Sequence, residues 1–213
     1  MMSNNSLKIW AYNPGSRGAR LLANMLDCKI IKHEGSHFKG SKKVTVINWG
    51  ASKVSDEVKK CNIFNRPECV KDVLDKKTLL LKLKPYFDVP VFTVDEVEAQ
   101  GWIEAGAHVI REDNVYMWDV RPTHILRLHD SGVQVYCQFR TNPVEIAKAT
   151  KDMIKQRVKE VKQFLGLDFC SIDIGWVEDT HQAYVLKVNT APELTPELAS
   201  FYSNNFSLQL EKR

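Results

Sequence analysis

Three polar residues stand on two stretches, FCSIDIGWV and AYVLKVNT, that read as the arms of a β-hairpin turning near EDTHQ. Side chains alternate along a strand, so Phe169, Ser171, Asp173 and Gly175 share one face, and Cys170, Ile172, Ile174 and Trp176 share an apolar one. On the returning arm Tyr184, Leu186 and Val188 match the buried face, leaving Lys187 and Asn189 beside Asp173. A hairpin centred near Thr180 puts Asp173 opposite Lys187 and Ser171 opposite Asn189. Two kinds of chemistry fit this face. A carboxylate and an amide oxygen are hard ligands of the sort Mg²⁺ accepts while keeping waters and phosphate oxygens. Alternatively, Asp173 and Lys187 form a cross-strand ion pair on a half-exposed sheet.

The elements that must position this face follow from punctuation and periodicity. LKIWAY, KIIKHE and VTVINWG read as strands, and ARLLANML after the turn NPGSRG reads as a helix, which suggests a small parallel sheet. Residues 54–84 read as mainly helical, with Pro67 interrupting and Pro85 closing the run. DVPVFTVDEVEAQG is a short strand and then a helix opened by Thr93 or Asp95. AHVIRED, THILRLHD and VQVYCQFR are short alternating runs, the last two joined by Asp130-Ser131-Gly132, so the middle of the chain is antiparallel sheet. A long helix over about 142–165 follows, with Asn142 as N-cap, Pro143 at its first position and Gly166 past its end.

A chain of 213 residues, 44% hydrophobic and 26% charged, can bury a full core without staples. No apolar run approaches the roughly 20 residues of a membrane span, so a membrane role is excluded. Five scattered cysteines without a CxxC pair suit a reducing, cytoplasmic compartment and argue against a zinc site. The formal charge of +4 comes from 30 basic against 26 acidic residues, too balanced a composition to point to nucleic acid.

The last hairpin, SIDIGWVEDTHQAYVLKVNTAPEL, resembles the catalytic strands of the ATP-grasp superfamily, in which an Asp is followed about a dozen residues later by Glu-x-Asn. Asp173 matches the Asp and Asn189 the Asn. Other segments fall in the matching order. VINWGAS resembles the strand end closing the pre-ATP-grasp domain, and Lys77 with TLLLKLKPYFDVPVFT is similar to the helix and strand that open the grasp. Arg111 in HVIRE matches a basic residue that touches nucleotide phosphates. Arg127-Leu128-His129 resembles the Arg-x-His strand of compact stand-alone members, phage-borne ones among them, which would place such a chain in the host cytoplasm.

The resemblance implies an α/β fold of two α+β lobes gripping ATP: a pre-ATP-grasp sheet-and-helix region over 1–75, then an ATP-grasp-like region over 76–213. The latter divides into a reduced lid, about 76–128, and a catalytic-type lobe, about 129–213. It also implies roles. Lys77, Arg111 and His129 would contact the nucleotide, Arg127 the γ-phosphate or an acyl-phosphate, and Asp173 and Asn189 would hold Mg²⁺. Two departures bear on turnover. The family's Glu is Lys187, a cation where metal should bind, and the stretch EDNVYMWDVRPTHIL, in the place of a Gly-rich lid loop, contains no Gly. Two readings follow: a nucleotide-binding or regulatory protein with reduced catalysis, or an active Mg²⁺-dependent carboxylate–amine ligase in which Lys187 takes part. The substrate, a small molecule or a peptide, is not legible.

Overall fold

The computed structural model describes residues 6–140 and 146–211. The chain opens with β1 (Leu7–Ala11), α1 (Arg17–Met25), β2 (Lys29–Ile30), β3 (Thr45–Trp49), α2 (Asp56–Lys59) and β4 (Asn62–Phe64). These four strands form a parallel sheet in the order β2-β1-β3-β4. Alternation splits its side chains between two cores. Ile9, Ile47 and Trp49 pack under α1, while Trp10 and Val46 pack with Val58 of α2 on the other face.

Next come α3 (Pro67–Leu74), α4 (Lys76–Leu83), β5 (Phe92–Thr93), α5 (Glu96–Glu104), β6 (Val109–Glu112) and β7 (Val115–Trp118). Pro67 opens α3 at its first turn instead of interrupting a helix, because a missing N–H costs nothing there. The stretch before it holds a strand, β4, and the expected lid loop holds another, β7, joined to β6 by a tight turn with Asp113 at φ 55°. β5, β7 and β6 form a small antiparallel sheet.

The remainder is β8 (His124–Asp130), β9 (Val135–Phe139), α6 (Lys148–Phe164), β10 (Cys170–Val177), β11 (Gln182–Asn189) and α7 (Pro196–Glu211). Its four strands make an antiparallel sheet in the order β11-β10-β8-β9, with Ile154, Val158 and Val161 of α6 covering one face. The expected cap at Asn142 and Pro143 lies outside the described residues. α7 runs back to the parallel sheet, where Leu198, Ala199, Tyr202 and Phe206 join the core under α1. No helix among the described residues is long and apolar enough to cross a membrane.

Candidate functional site

The hairpin β10–β11 keeps two registers. Asp173 pairs with Lys187 and Ser171 with Asn189, as the sequence spacing predicts, but Ile174 pairs with Val185, so Leu186 is an extra residue in the ladder. Beyond the bulge the faces exchange. Ala183 and Val185 point into the core with Val188, while Tyr184 and Leu186 do not, contrary to the expectation from strict alternation. Leu186 and Lys187 therefore both line the open face, and the freed Leu186 carbonyl accepts a 2.7 Å hydrogen bond from Lys76 Nζ.

Gln138, Arg127, Asp173 and Lys187 form one row across β9, β8, β10 and β11. Within it the predicted Asp173–Lys187 ion pair does not form. Arg127 grips the buried Asp173 carboxylate with two parallel bonds, Nε to Oδ1 at 2.7 Å and Nη2 to Oδ2 at 2.8 Å. Arg140 Nη1 adds a third at 3.1 Å to Oδ2. The fork geometry of guanidinium suits a carboxylate better than an ammonium does, and Arg127 sits directly across the strand. Lys187 turns instead to Glu112 on β6, with Nζ 3.3 Å from Oε1, and Lys76 holds the same carboxylate at 2.8 Å. Burial pushes the Glu112 carboxyl up, but Lys76 and then Lys187 outweigh it and keep the group below its ordinary range.

These groups border a cleft of about 220 Å³ between the small sheet and the hairpin, walled by Ile110, Met117, Ile125 and Leu186. A second cavity of about 380 Å³ shares Lys76, Glu112 and Lys187 with it and runs on to Asn189 and Thr190. Asn189 thus lies further along the same groove, its Oδ1 accepting the Ala191 N–H at 2.9 Å.

Three expected nucleotide contacts lie elsewhere. Lys77 is exposed, and it is Lys76 that falls in the stripe with Leu79, Leu80 and Leu83 on the inner face of α4. One residue on a helix is a turn of about 100°, so the neighbouring lysine points away. Arg111 alternates with Ile110 and Glu112 on β6, so it faces outward and lies 5.3 Å over the Tyr116 ring. His129 shares the Arg127 face but is wholly buried beneath α7, with Nδ1 3.3 Å from the Tyr202 hydroxyl. Burial, and then the nearby Arg127 charge, push its pKa down to about 4.

Glu112, Lys76 and Arg140 are the site residues that sequence reading missed. Each had a signal: Glu112 alternates with Arg111, Lys76 has helical spacing to three leucines, and Arg140 alternates with Tyr136 and Gln138.

The donors do not fit a divalent metal ion. Both Asp173 oxygens are taken by guanidinium groups, Asn189 Oδ1 is taken by its own turn, and the side chain paired with Asp173 across the hairpin is a cation, Lys187. Among the described residues no three His, Cys, Asp or Glu side chains gather as a metal site would require.

No family model matches the chain, and no curated protein matches it in sequence. Solved structures match over nearly its whole length. The D-alanine–D-alanine ligase of Aeromonas hydrophila superposes with a TM-score of 0.69 at 11% identity, covering 96% of this chain and 99% of that one. The ATP-grasp ligase PsnB, in complex with a phosphomimetic variant of its minimal precursor, Mg and ADP, gives 0.67 at 12% identity over 97% and 99%. The macrocyclase MdnC of Microcystis aeruginosa MRC, bound to its precursor peptide MdnA, gives 0.65 at 12% over 95% and 99%. From its parallel sheet to the hairpin that carries Asp173, this chain has the ATP-grasp fold.

Proposed function

We propose that the protein binds ATP or ADP in the groove between β6–β7 and β10–β11 and acts as a binding or regulatory protein whose catalysis is reduced or lost. The apolar walls at Ile110, Met117 and Leu186 suit a planar base. Lys76, Lys187 and Arg140 suit the phosphates as counter-charges built into the chain, whereas PsnB was captured with Mg as well as ADP. PsnB was captured with ADP and with AMPPNP, which supports a nucleotide in the corresponding groove here. The observation that carries the reading is the Asp173 carboxylate, closed off by Arg127 and Arg140 beside a lysine in the Glu position.

Calorimetric titration with ATP and ADP, each with Mg²⁺ and with EDTA, tests it. The expected result is nucleotide affinity that changes little with metal. Mg²⁺-dependent ATP turnover by the native protein would replace this reading with that of an active carboxylate–amine ligase working on a small molecule or a peptide.

A further inference from the structure

β4 is the outer strand of the parallel sheet, and beside it lies a hollow of about 680 Å³, the size of a small-molecule pocket. Val54, Cys61 and Ile63 in its lining belong to the core that Trp10 and Val46 share with α2. Four cations also line it, each from a different segment: Lys42 from the loop before β3, Lys53 from the loop after it, Lys59 from the end of α2 and Arg66 from the turn into α3. Against them the lining sets one acidic side chain, Glu68.

The backbones that carry these cations are tied down. The Asn62 side-chain amide donates to the Lys42 carbonyl at 2.7 Å, and Trp10 Nε1 donates to the Lys53 carbonyl at 3.1 Å. Two residues before Lys42, the Gly40 N–H donates to Glu57 Oε2 at 2.8 Å, and the chain passes so close to α2 that a Cβ there would lie 1.7 Å from the Glu57 carbonyl oxygen. Just before Arg66, Asn65 sits at φ 59°, donates its N–H to Asp168 Oδ2 at 2.7 Å and accepts on its carbonyl from the Asn48 amide at 2.8 Å.

Like charges held on fixed segments repel one another, and their internal partners are weak. Lys59 meets Asp56 at 2.7 Å and Arg66 meets Glu68 at 3.7 Å, but all four of these side chains are largely exposed. Lys42 and Lys53 have no ion pair among the described residues. A solvated helix face spreads its charges along one element, whereas these converge from four onto one concavity. Ammonium groups meet phosphate as point charges and a guanidinium meets it as a fork, so several phosphate groups in one ligand would satisfy the set where a single anionic group could not. No aromatic side chain lines the hollow, which leaves the bases of a single strand without a stacking platform.

We propose that the hollow beside β4 is a second ligand site, taking a small molecule that carries two or more phosphate groups and holding them with Lys42, Lys53, Lys59 and Arg66. The inference goes beyond the nucleotide reading and stands without it.

The test is amide NMR titration of the full chain with tripolyphosphate, orthophosphate, ATP and an oligothymidylate. Tripolyphosphate should shift the amides of Lys42, Lys53 and Ile63, bind at least about tenfold more tightly than orthophosphate, and weaken as salt is added. Lys42→Met and Lys53→Met should each weaken it about tenfold, the loss of one charge-assisted contact, while Lys159→Met, which removes the same charge from α6, should not. All three lysines are exposed, so the variants keep the fold. ATP shifting the hollow's amides as strongly would identify a nucleotide's phosphate chain as the source, and ATP failing to do so a free oligophosphate; both support the site. Tripolyphosphate binding no tighter than orthophosphate, equal losses in all three variants, or tighter binding of oligothymidylate at these amides would overturn the proposal. Shifts confined to Lys76, Glu112 and Leu186 would defeat it and favour the nucleotide groove alone, whereas shifts at the hollow with no ATP binding in that groove would defeat only the nucleotide reading.

Discussion

Asp173 is held by partners of unequal worth, because the Arg127 side chain is 20% exposed and that of Arg140 is 52% exposed. Removing a buried carboxylate strands the guanidinium that paired with it, whereas an exposed partner is replaced by water. Asp173→Ala should therefore lower stability by about 3 kcal/mol, and Arg140→Ala by less than about 1 kcal/mol, in urea denaturation. Equal losses would show that Arg127 does not dominate the pair. The same arrangement sets what Lys187→Glu can restore. Alone it removes one cation but leaves both Asp173 oxygens in the Arg127 fork, so Mg²⁺-dependent nucleotide binding should appear in Lys187→Glu/Arg127→Ala and scarcely in Lys187→Glu; titration of both with ATP and Mg²⁺ decides. At His129 the issue is protonation. Its folded pKa of about 4 lies below the ordinary 6.5, so it is neutral in both states above pH 6.5. As pH falls below that value the unfolded chain takes up a proton that the folded one refuses until about 4. Stability should then fall from pH 6.5 toward 4, by at most about 3 kcal/mol. His129→Gln should flatten the slope between about pH 6.5 and 5, a range above most carboxylate titrations.

Elements differ in how openly the sequence declares them. Strands and helices with one clear period, such as β1, β3, β8, β10 and α6, are legible, and so is the pairing of Asp173 with Lys187. The Leu186 bulge is not, because an inserted residue leaves the hydrophobic pattern equally readable in either phase. β7 is announced only by the Asp113-Asn114 turn, which is easily read as part of a loop, and the choice between Lys76 and Lys77 depends on where Asp75 caps the helix. Asp173 is thus legible from alternation and Arg127 from the resemblance of its strand, while Glu112 needs the small sheet to be docked on the hairpin before its role is visible. Glycines test element geometry directly. Gly101 lies inside α5, and a methyl added there would meet nothing within 4 Å, so Gly101→Ala should stabilise by about 0.5–1 kcal/mol. Gly50→Ala, at positive φ and against Ala191, should destabilise by about 1–3 kcal/mol. Thermal melts of the two should shift in opposite directions.

Across the whole molecule, the parallel sheet depends on residues far along the chain. Ile9, Leu22, Ile47 and Trp49 share their core with Phe169, Tyr202 and Phe206. Sequence periodicity carries little notice of this, since α7 buries Ser203 and Asn205 beside its apolar residues and its partner lies nearly two hundred residues away in places. A fragment of residues 1–75 should therefore fail to fold, giving narrow amide dispersion in NMR, and Tyr202→Ala in the full chain should cost about 3–5 kcal/mol. A cooperatively melting fragment would contradict this. The same long-range closure has a consequence during synthesis. The sheet strands leave the ribosome first, yet the apolar face they present stays uncovered until α7 has been made and has cleared the exit tunnel. Folding of this half waits until α7 has emerged, and over that interval the uncovered sheet is a surface for chaperones that shield exposed strands.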